Sequence, residues 1–277
     1  MRLFRPILKL GHALFGAIFF CAAFAAAYAY LLPNVGPLKK SPPKTTAYIE
    51  LRRREAASKG RKLDLRWTWV PYDAISENLK KAVVTAEDDA FYRHDGVDMD
   101  ALRAAWERDK KEGRLSVGGS TIAMQLARNL YLSPSKNPLR KVKEILIARR
   151  LDRELGKRRV LELYLNVVEW GPGIFGCQAA ARAYFGKSCA DLSPDEAVAM
   201  AVVLPNPRRW DPSKRGPYVQ RNSARIIARM AASGLRPEEG GFDDSTGDAA
   251  AQSTSTAVIS STGSVESDQG RNPSTLE

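Results

Sequence analysis

The sequence predicts a mostly α-helical protein of 277 residues, made of one ordinary domain with appendages. Three observations lead to this class. Apolar residues recur at three- and four-residue intervals through most of the stretch 73–233. Signals for the start of a helix accompany these runs, as where Ser193 precedes Pro194 and Glu196 in a capping box. Strands do not alternate with helices, so a parallel sheet is not expected.

The N-terminal segment predicts a membrane anchor. Residues 1–12 are basic, with Arg2, Arg5 and Lys9, and the run 13–32 carries no charge. About 20 such residues are needed to cross the ~30 Å of hydrocarbon in a bilayer, and the basic flank stays inside. Everything after this run is then expected outside the cytoplasm. A cleaved signal peptide is the alternative, although its apolar core normally has only about 7–15 residues.

The stretch 33–62 is interpreted as a linker and membrane-proximal segment, because it holds four prolines and a basic run at 52–54. For the basic run we keep two interpretations, contact with anionic lipid headgroups or a solvated basic face. The segment 67–70 alternates in the manner of a strand, and it is expected to cover the core or to reach the membrane interface.

The first long helix begins near Asp73, with Ser76 or Asp73 available as its N-cap. It delivers Glu87 at its C-terminal end, directly before Asp88 and Asp89. The helix dipole and the neighbouring carboxylates disfavour the ionised form there, so we expect a raised pKa, which general acid–base catalysis near neutral pH requires. The alternative is a solvated helix end whose acids make local caps.

Further helices are predicted from the same periodicity. They cover 98–114, the run after Pro138, 160–168, the run from Ser193 to before Pro205, and about 218–233. In the first of these, Leu102, Ala105 and Trp106 are expected to face inward.

A glycine-rich entry to another helix follows at Gly118-Gly119-Ser120-Thr121, where Ser120 or Thr121 is available as the cap. The apolar stripe of this helix consists of Ile122, Leu126 and Leu130, and its polar face of Gln125, Arg128 and Asn129. Such a motif alone usually marks a turn and a cap. Because a helix N-terminus binds anions, the motif beside an acid cluster predicts a phosphate-binding cradle next to a carboxylate.

The helix after Pro138 opens with Arg140 and Lys141, and Glu144 shares a face with Arg140 at four-residue spacing. Taken alone, this is an exposed ion pair worth a few tenths of a kcal/mol. Another acid, Glu169, follows the helix 160–168 at a glycine-rich turn.

The three cysteines form no disulfide framework, and with only two histidines they predict no zinc site. Cys177 and Cys189 are spaced so that a helix and its return can bring them within bonding distance. An oxidising compartment would favour a disulfide between them. Two small buried thiols are the equal alternative.

Charge is distributed unevenly. The net charge is +12, yet from Glu238 onward eight acids stand against Arg271 alone, about −7, which leaves about +19 on the rest. A body this basic favours polyanions: nucleic acid, phosphorylated substrates or an anionic membrane surface. The acidic tail 237–277 is rich in Ser, Thr, Gly and Asp and is predicted to be disordered.

Four linked motifs carry a family resemblance. They are Glu87-Asp88-x-x-Phe91-x-x-His94-x-Gly96, Gly118-Gly119-Ser120-Thr121-Ile122-x-x-Gln125-x-x-Arg128-Asn129, Arg140-Lys141-x-x-Glu144, and Tyr164-Leu165-Asn166 running on to Gly171. In order and spacing they resemble the peptidoglycan glycosyltransferases, the family that polymerises lipid II, over residues 63–236. The segments Val168-Glu169-Trp170-Gly171 and Trp69-Val70-Pro71 resemble most the monofunctional biosynthetic transglycosylases. At Arg128 the family usually has lysine, which keeps the charge but replaces a planar fork by a point donor.

The resemblance implies a mostly helical, lysozyme-like glycosyltransferase domain of two lobes, behind an N-terminal transmembrane helix. It implies a single-pass protein of the bacterial inner membrane, with its N-terminus in the cytoplasm and its catalytic domain outside. The implied partners are lipid II, the growing glycan chain, membrane lipids and other cell-wall synthesis and division proteins, and not nucleic acid.

The resemblance also implies roles for residues. Glu87 would take the proton of the acceptor sugar's 4-hydroxyl as it attacks the anomeric carbon, with inversion, and polyprenyl diphosphate would leave. Arg128, Arg140 and Lys141 would steady the diphosphate, and Glu144 matches a second essential glutamate that holds Mg²⁺ or orders this cradle. The other implied substrate-binding residues are Asp88, His94, Gly119, Ser120, Thr121, Gln125 and Asn129. No nucleotide cofactor is implied.

Two alternatives from other classes stay open. A lysozyme-like lytic enzyme would also use one glutamate but would not need a cationic diphosphate site. A non-catalytic membrane-anchored scaffold would tolerate the loss of Glu87.

Overall fold

The computed structural model describes residues 32–113, 118–132, 134 and 138–233, together with 15, 16, 18–20 and 23. The α-helices are α1 (Ala47–Ala57), α2 (Glu77–Glu87), α3 (Met99–Glu112), α4 (Ile122–Tyr131), α5 (Pro138–Val167), α6 (Cys177–Phe185), α7 (Pro194–Val203) and α8 (Pro217–Ala232). The strands are β1 (Arg66–Trp67), β2 (Glu169–Gly171) and β3 (Ile174–Phe175). Four short 3-10 helices cover Gly36–Lys39, Tyr72–Ala74, Phe91–Arg93 and Cys189–Asp191. The mostly α class is confirmed.

The core is built where α4 packs on α5 and α2 packs on α7. The predicted stripe of α4 is buried, with Ile122 and Leu126 fully so. The predicted capping box at Ser193 and Glu196 opens α7. Two helices predicted after Pro138 form one long element that is interrupted at Gly156, whose φ is 75°. Because α2 and α4 both run through the core, the residues at their ends are held rigidly.

A small sheet joins the stretch before α2 to the stretch after α5, in the order β1-β3-β2, with β1 parallel and β2 antiparallel to β3. The side chain of Asn166 binds both backbone groups of Val70, each at 2.9 Å, and Trp67 donates its indole N–H to the Asn166 carbonyl at 2.7 Å. Trp67 and Val70 therefore pack against the core, which is the first of the two predicted alternatives. The prediction that the chain has no parallel sheet is corrected by the parallel β1–β3 pair, and the antiparallel pairing of β2 with β3 was not predicted either.

Two glycines of the motifs are required by close packing. Gly119 has φ of 77°, and a Cβ on it would lie 2.8 Å from the Ala101 carbonyl oxygen; Gly96 has the same φ, and its Cβ would lie 2.6 Å from the Ala148 oxygen. Any side chain there would strain the backbone and clash with a neighbouring helix.

The prediction that Trp106 faces inward is wrong, since its side chain is 69% exposed. Gly119 approaches α3 at Ala101 and Ala105, so these small residues set the buried face of the helix. Ala105 is buried and Leu102 packs at the edge of the core, as expected. Trp106 lies beyond this edge, where its side chain is exposed to solvent.

The structure has Cys177 and Cys189 as free, fully buried thiols. The backbone does bring them together, because the Gln178 side chain accepts a hydrogen bond from the Cys189 backbone N–H at 2.9 Å. Burial, followed by the adjacent Cys189 thiol, raises the pKa of Cys177 well above its ordinary value. Since the thiolate is the reactive form, these side chains behave as small apolar groups. The thiol alternative therefore holds here, and the disulfide is not formed.

The predicted membrane-spanning run 13–32 lies mostly outside the described residues, and so does the predicted tail 237–277. The described large side chains of the run, Phe15, Ile18, Phe19 and Phe20, are 60–72% exposed. Among the helices that the structure describes, none combines the length and the apolar character needed to cross a bilayer.

Candidate active site

A cleft of about 550 Å³ opens at the C-terminal end of α2. Six of the residues predicted for the catalytic and substrate-binding site line it: Glu87, Gly119, Ser120, Gln125, Arg128 and Asn129. The motifs of α2 and α4 thus meet on one surface, although about thirty residues separate them in the sequence.

Glu87 is the last residue of α2, and its side chain is directed into this cleft. Burial raises the pKa of its carboxyl, and the nearby Asp88 charge acts in the same direction. Three groups oppose this shift: a hydrogen bond from Gln125 Nε2 to Glu87 Oε2 at 2.8 Å, and the charges of Arg128 and Arg229. The raised pKa agrees with the prediction, but the main cause is burial. A carboxylate in this state is a suitable general base.

Gln125 connects Glu87 to the core. Its amide oxygen accepts a hydrogen bond from the hydroxyl of Tyr164 at 3.0 Å, while its amide nitrogen serves Glu87. Tyr164 is fully buried, and burial raises its pKa well above the ordinary value, so it acts as a fixed donor. The chain Tyr164, Gln125, Glu87 therefore fixes which carboxylate oxygen faces the cleft.

This contact predicts a pH effect. Because the hydrogen bond from Gln125 lowers the pKa of Glu87, Gln125→Leu should raise it further. The base must be ionised to act, so the acidic limb of the kcat/KM profile should have its midpoint above 4.5 in the unmodified protein and higher still in the variant. Rates measured from pH 4 to 9 would check this; an unshifted limb, or a shift to lower pH, would contradict it.

Asp88 and His94 do not line the cleft but join its two motifs. Asp88 is buried, accepts a hydrogen bond from the Ile122 backbone N–H at 3.0 Å, and lies 2.9 Å from His94 Nε2. Thr121, which the structure identifies as the cap of α4, donates its hydroxyl to the Gly96 carbonyl at 2.7 Å. These bonds hold the start of α4 against the end of α2, so Asp88, His94 and Thr121 shape the site from behind.

A second polar layer lies beneath Ser120. Lys141 Nζ is 2.8 Å from the Ser120 hydroxyl and 3.1 Å from Glu144 Oε1, and Arg140 binds the other oxygen of Glu144. Glu144 is fully buried, so the interpretation as an exposed ion pair is wrong. Burial lowers the pKa of Lys141, against the opposing effect of Glu144. The acid is thus an anchor that holds two cations behind the glycine-rich turn.

The side chains around Glu144 do not fit a metal ion by themselves. Both of its carboxylate oxygens already bind cations. In the part of the chain that the structure describes, no three His, Cys, Asp or Glu side chains are grouped to hold a metal. Mg²⁺ is usually held by one or two carboxylates together with waters and substrate phosphates, and the carboxylate of Glu144 is already engaged by Arg140 and Lys141.

Arg128 differs from the other cations. It lines the cleft, is half-buried, and makes no hydrogen bond or salt bridge to any residue that the structure describes. Its neighbour Asn129 is instead used internally, because its amide donates to the Gln125 carbonyl at 2.9 Å. A half-buried guanidinium with no hydrogen bond or ion pair to these residues is available to bind an anionic ligand in the cleft.

Several cleft residues were not predicted. They are Tyr48 and Arg52 from α1, Glu169 from β2, and Asn206 and Arg208 after α7. Arg52 was expected on lipid headgroups or in water; instead its side chain is only 15% exposed and pairs with Glu169. An arginine followed three residues later by Glu55 gives no sequence signal for a partner 117 residues away.

Comparison with known proteins agrees with this geometry. The family model described as transglycosylase matches residues 56–231. A biosynthetic peptidoglycan transglycosylase of Aromatoleum aromaticum is 51% identical over 188 residues, which cover 68% of this chain and 81% of that protein. Proteins of the same name from Azoarcus sp. and Nitrosospira multiformis are 46% and 42% identical, over 75% and 70% of this chain and 90% and 84% of their own. The chain therefore belongs to the transglycosylase family, as a peptidoglycan glycosyltransferase.

Proposed function

We propose that this peptidoglycan glycosyltransferase joins lipid II units into glycan strands, with Glu87 as the general base. The observation that carries the proposal is that one cleft holds both Glu87 and Arg128. Burial raises the pKa of the Glu87 carboxyl, and Arg128 makes no ion pair to a residue that the structure describes. Glu87 would accept the proton of the acceptor's 4-hydroxyl as the oxygen attacks the anomeric carbon. Attack from the face opposite the leaving group inverts that carbon.

The departing group would be polyprenyl diphosphate, which leaves as an anion. Arg128 would bind its oxygens directly, and the Lys141–Ser120 contact would hold the glycine-rich turn beside them. The N-terminus of α4 lies at the same turn, and the positive end of its helix dipole favours negative charge there. These groups stabilise the charge that develops on the leaving group without a proton donor.

A lytic, lysozyme-like reaction fits the cleft less well, because it needs a protonated acid to help a sugar oxygen leave. The acids among the cleft-lining residues that the structure describes are Glu87 and Glu169. Glu169 is engaged by Arg52 at 2.7 Å and 2.8 Å, so its carboxyl group is not free to reach a sugar oxygen. A leaving group that departs without protonation is what this arrangement supports.

We also propose the finer architecture that the resemblance implies: a two-lobed, lysozyme-like domain anchored by the run 13–32, with the catalytic domain outside the inner membrane. The absence of charge in that run supports the anchor. Anchoring would place the cleft next to the membrane in which the lipid-linked donor and acceptor reside.

The direct test is incubation of the full-length protein with purified lipid II in detergent. Polymerisation should give glycan strands and polyprenyl diphosphate, and purified uncross-linked glycan should not be shortened. Release of shortened glycan without polymer would favour the lytic alternative, and inertness towards both substrates would favour the scaffold.

A divalent cation remains a proposal about the substrate complex, since the protein side chains alone do not form its site. Diphosphate oxygens would supply the ligands that are missing. Calorimetry should then detect no tight Mg²⁺ binding to the free protein, while EDTA should lower lipid II turnover and added Mg²⁺ restore it. Full activity in EDTA would show that the cations of the protein suffice.

A further inference from the structure

Helix α1 forms a wall of the cleft although most of it precedes the matched family region. The family match begins at residue 56, and α1 spans Ala47–Ala57. Tyr48 and Arg52 of this helix line the same cleft as Glu87 and Arg128. A segment expected to be a linker therefore contributes side chains to the candidate active site.

The helix is fastened in place at both of its faces. Thr46 caps it by accepting the Ile49 backbone N–H at 3.1 Å, Ile49 is fully buried, and the helix packs against α4. On the cleft side, Arg52 donates Nε and Nη2 to Glu169 at 2.8 Å and 2.7 Å. The Glu169 side chain is only 4% exposed. A buried, forked ion pair of this kind fixes the orientation of both partners.

The pair belongs to a short network across the end of the cleft. Arg52 Nη1 also donates to Glu55 Oε1 at 2.9 Å, and Arg208 lies 3.4 Å from Glu55 Oε2. The network joins α1, β2 and the segment after α7, three parts that are far apart in the sequence. Each of the three nitrogens of the Arg52 guanidinium thus donates to Glu55 or Glu169.

Tyr48 is the residue of this wall whose side chain can still bind a ligand. Its side chain is half-buried, and its hydroxyl makes no hydrogen bond to any residue that the structure describes. The Arg52 guanidinium lies 5.9 Å from the centre of its ring. An aromatic ring with a free hydroxyl at a cleft wall presents an apolar face and a polar tip, which suit the C–H face and the hydroxyls of a hexose ring.

We propose that Tyr48 is a sugar-binding residue of the cleft and that the Arg52–Glu169 pair is the positioning device that holds it there. The ligand is a hexose unit of the glycan or of its lipid-linked precursor, and in this respect the inference rests on the proposed function. Tyr48 contacts the substrate, whereas Arg52 and Glu169 act through the placement of α1.

Tyr48→Ala and Tyr48→Phe test the contact, with Arg53→Ala as the matched control. Arg53 is on the same helix, is 50% exposed, pairs with Glu50 and does not line the cleft. In lipid II polymerisation by the full-length protein, Tyr48→Ala should raise KM about tenfold with a smaller change in kcat, because binding to substrate and transition state is lost alike. Tyr48→Phe should keep part of the affinity through its ring, and Arg53→Ala should match the unmodified protein.

A binding measurement separates this inference from the proposed function. Soluble uncross-linked glycan strands, titrated against each variant without any turnover, should bind Tyr48→Ala more weakly than the control. If the unmodified protein fails to polymerise lipid II yet shows this difference, the proposed function falls and the sugar site stands. Equal glycan binding and equal KM in Tyr48→Ala and the unmodified protein would overturn the site.

The role of Arg52 is tested by a double-mutant cycle. If Arg52 acts by placing Tyr48, Arg52→Gln should raise KM, and the double variant should be little worse than Tyr48→Ala alone. Arg52→Lys, which keeps the charge but not the fork, should recover part of the affinity. If the KM increases of the two single variants multiply in the double variant, and thermal unfolding confirms that this variant is folded, then Arg52 does not act through Tyr48.

Discussion

Glu87→Gln should keep the fold and the binding of lipid II but lose polymerisation by about 10²–10⁴-fold, the usual contribution of a general base. The amide has nearly the shape of the carboxylate, and its oxygen can still accept the hydrogen bond from Gln125 Nε2. It cannot accept the proton of the acceptor hydroxyl. The kcat for lipid II polymerisation, measured beside a lipid II binding titration, checks both parts of the expectation.

The matched control is Asp89→Asn, which removes a neighbouring charge two residues away. Asp89 is 64% exposed and pairs with Arg229 at the surface, so its loss should change activity little. Activity of Glu87→Gln within a few-fold of the unmodified protein would show that another group takes the proton. Equal losses in both variants would instead indicate a general effect of charge near α2.

Arg128→Ala should lower kcat/KM by more than tenfold, since the half-buried guanidinium has no partner among the described residues and its proposed partner is the donor diphosphate. Arg128→Lys should restore much of this loss, because lysine keeps the charge at the same place, and it is the residue that the family usually has there. The fold should not suffer in either variant, as no described contact is broken. Donor turnover and thermal unfolding are the two measurements.

Arg221→Ala serves as the control for net charge, because Arg221 is exposed on α8 and does not line the cleft. If Arg128→Ala turns over lipid II normally, the diphosphate is not bound by this side chain. An inactive but stable Arg128→Lys would mean that this cleft depends on the two-pronged geometry of the guanidinium.

The local structure around the site could be predicted from the sequence because its determinants are local. Apolar spacing placed Ile122 and Leu126 in the core, and a Ser-Pro-x-Glu pattern marked the start of α7. Trp106 shows the limit of such reasoning. Its periodic position suggested burial, but the close approach of Gly119 to Ala101 decided which face of α3 turns inward.

The electrostatic state of the site depended on contacts that no local pattern contains. Glu144 is a buried anchor for two cations, not an exposed partner of Arg140, because α4 and α5 pack closely around it. Arg128, on the polar face of α4, makes no hydrogen bond or ion pair to a residue that the structure describes. Which cation is neutralised and which is available follows from packing alone.

By itself the sequence determined the helical class, the motifs and their family, because spacing, caps and turn residues act over a few positions along the chain. Tertiary structure alone decided that Asp88 accepts a hydrogen bond from the Ile122 backbone N–H and that Gln125 donates one to Glu87. It also decided that α1 becomes a wall of the cleft. The Arg52–Glu169 pair joins residues 117 positions apart. Two opposite charges attract strongly in a poorly solvated place once they are close, and only the folded chain brings such distant charges together.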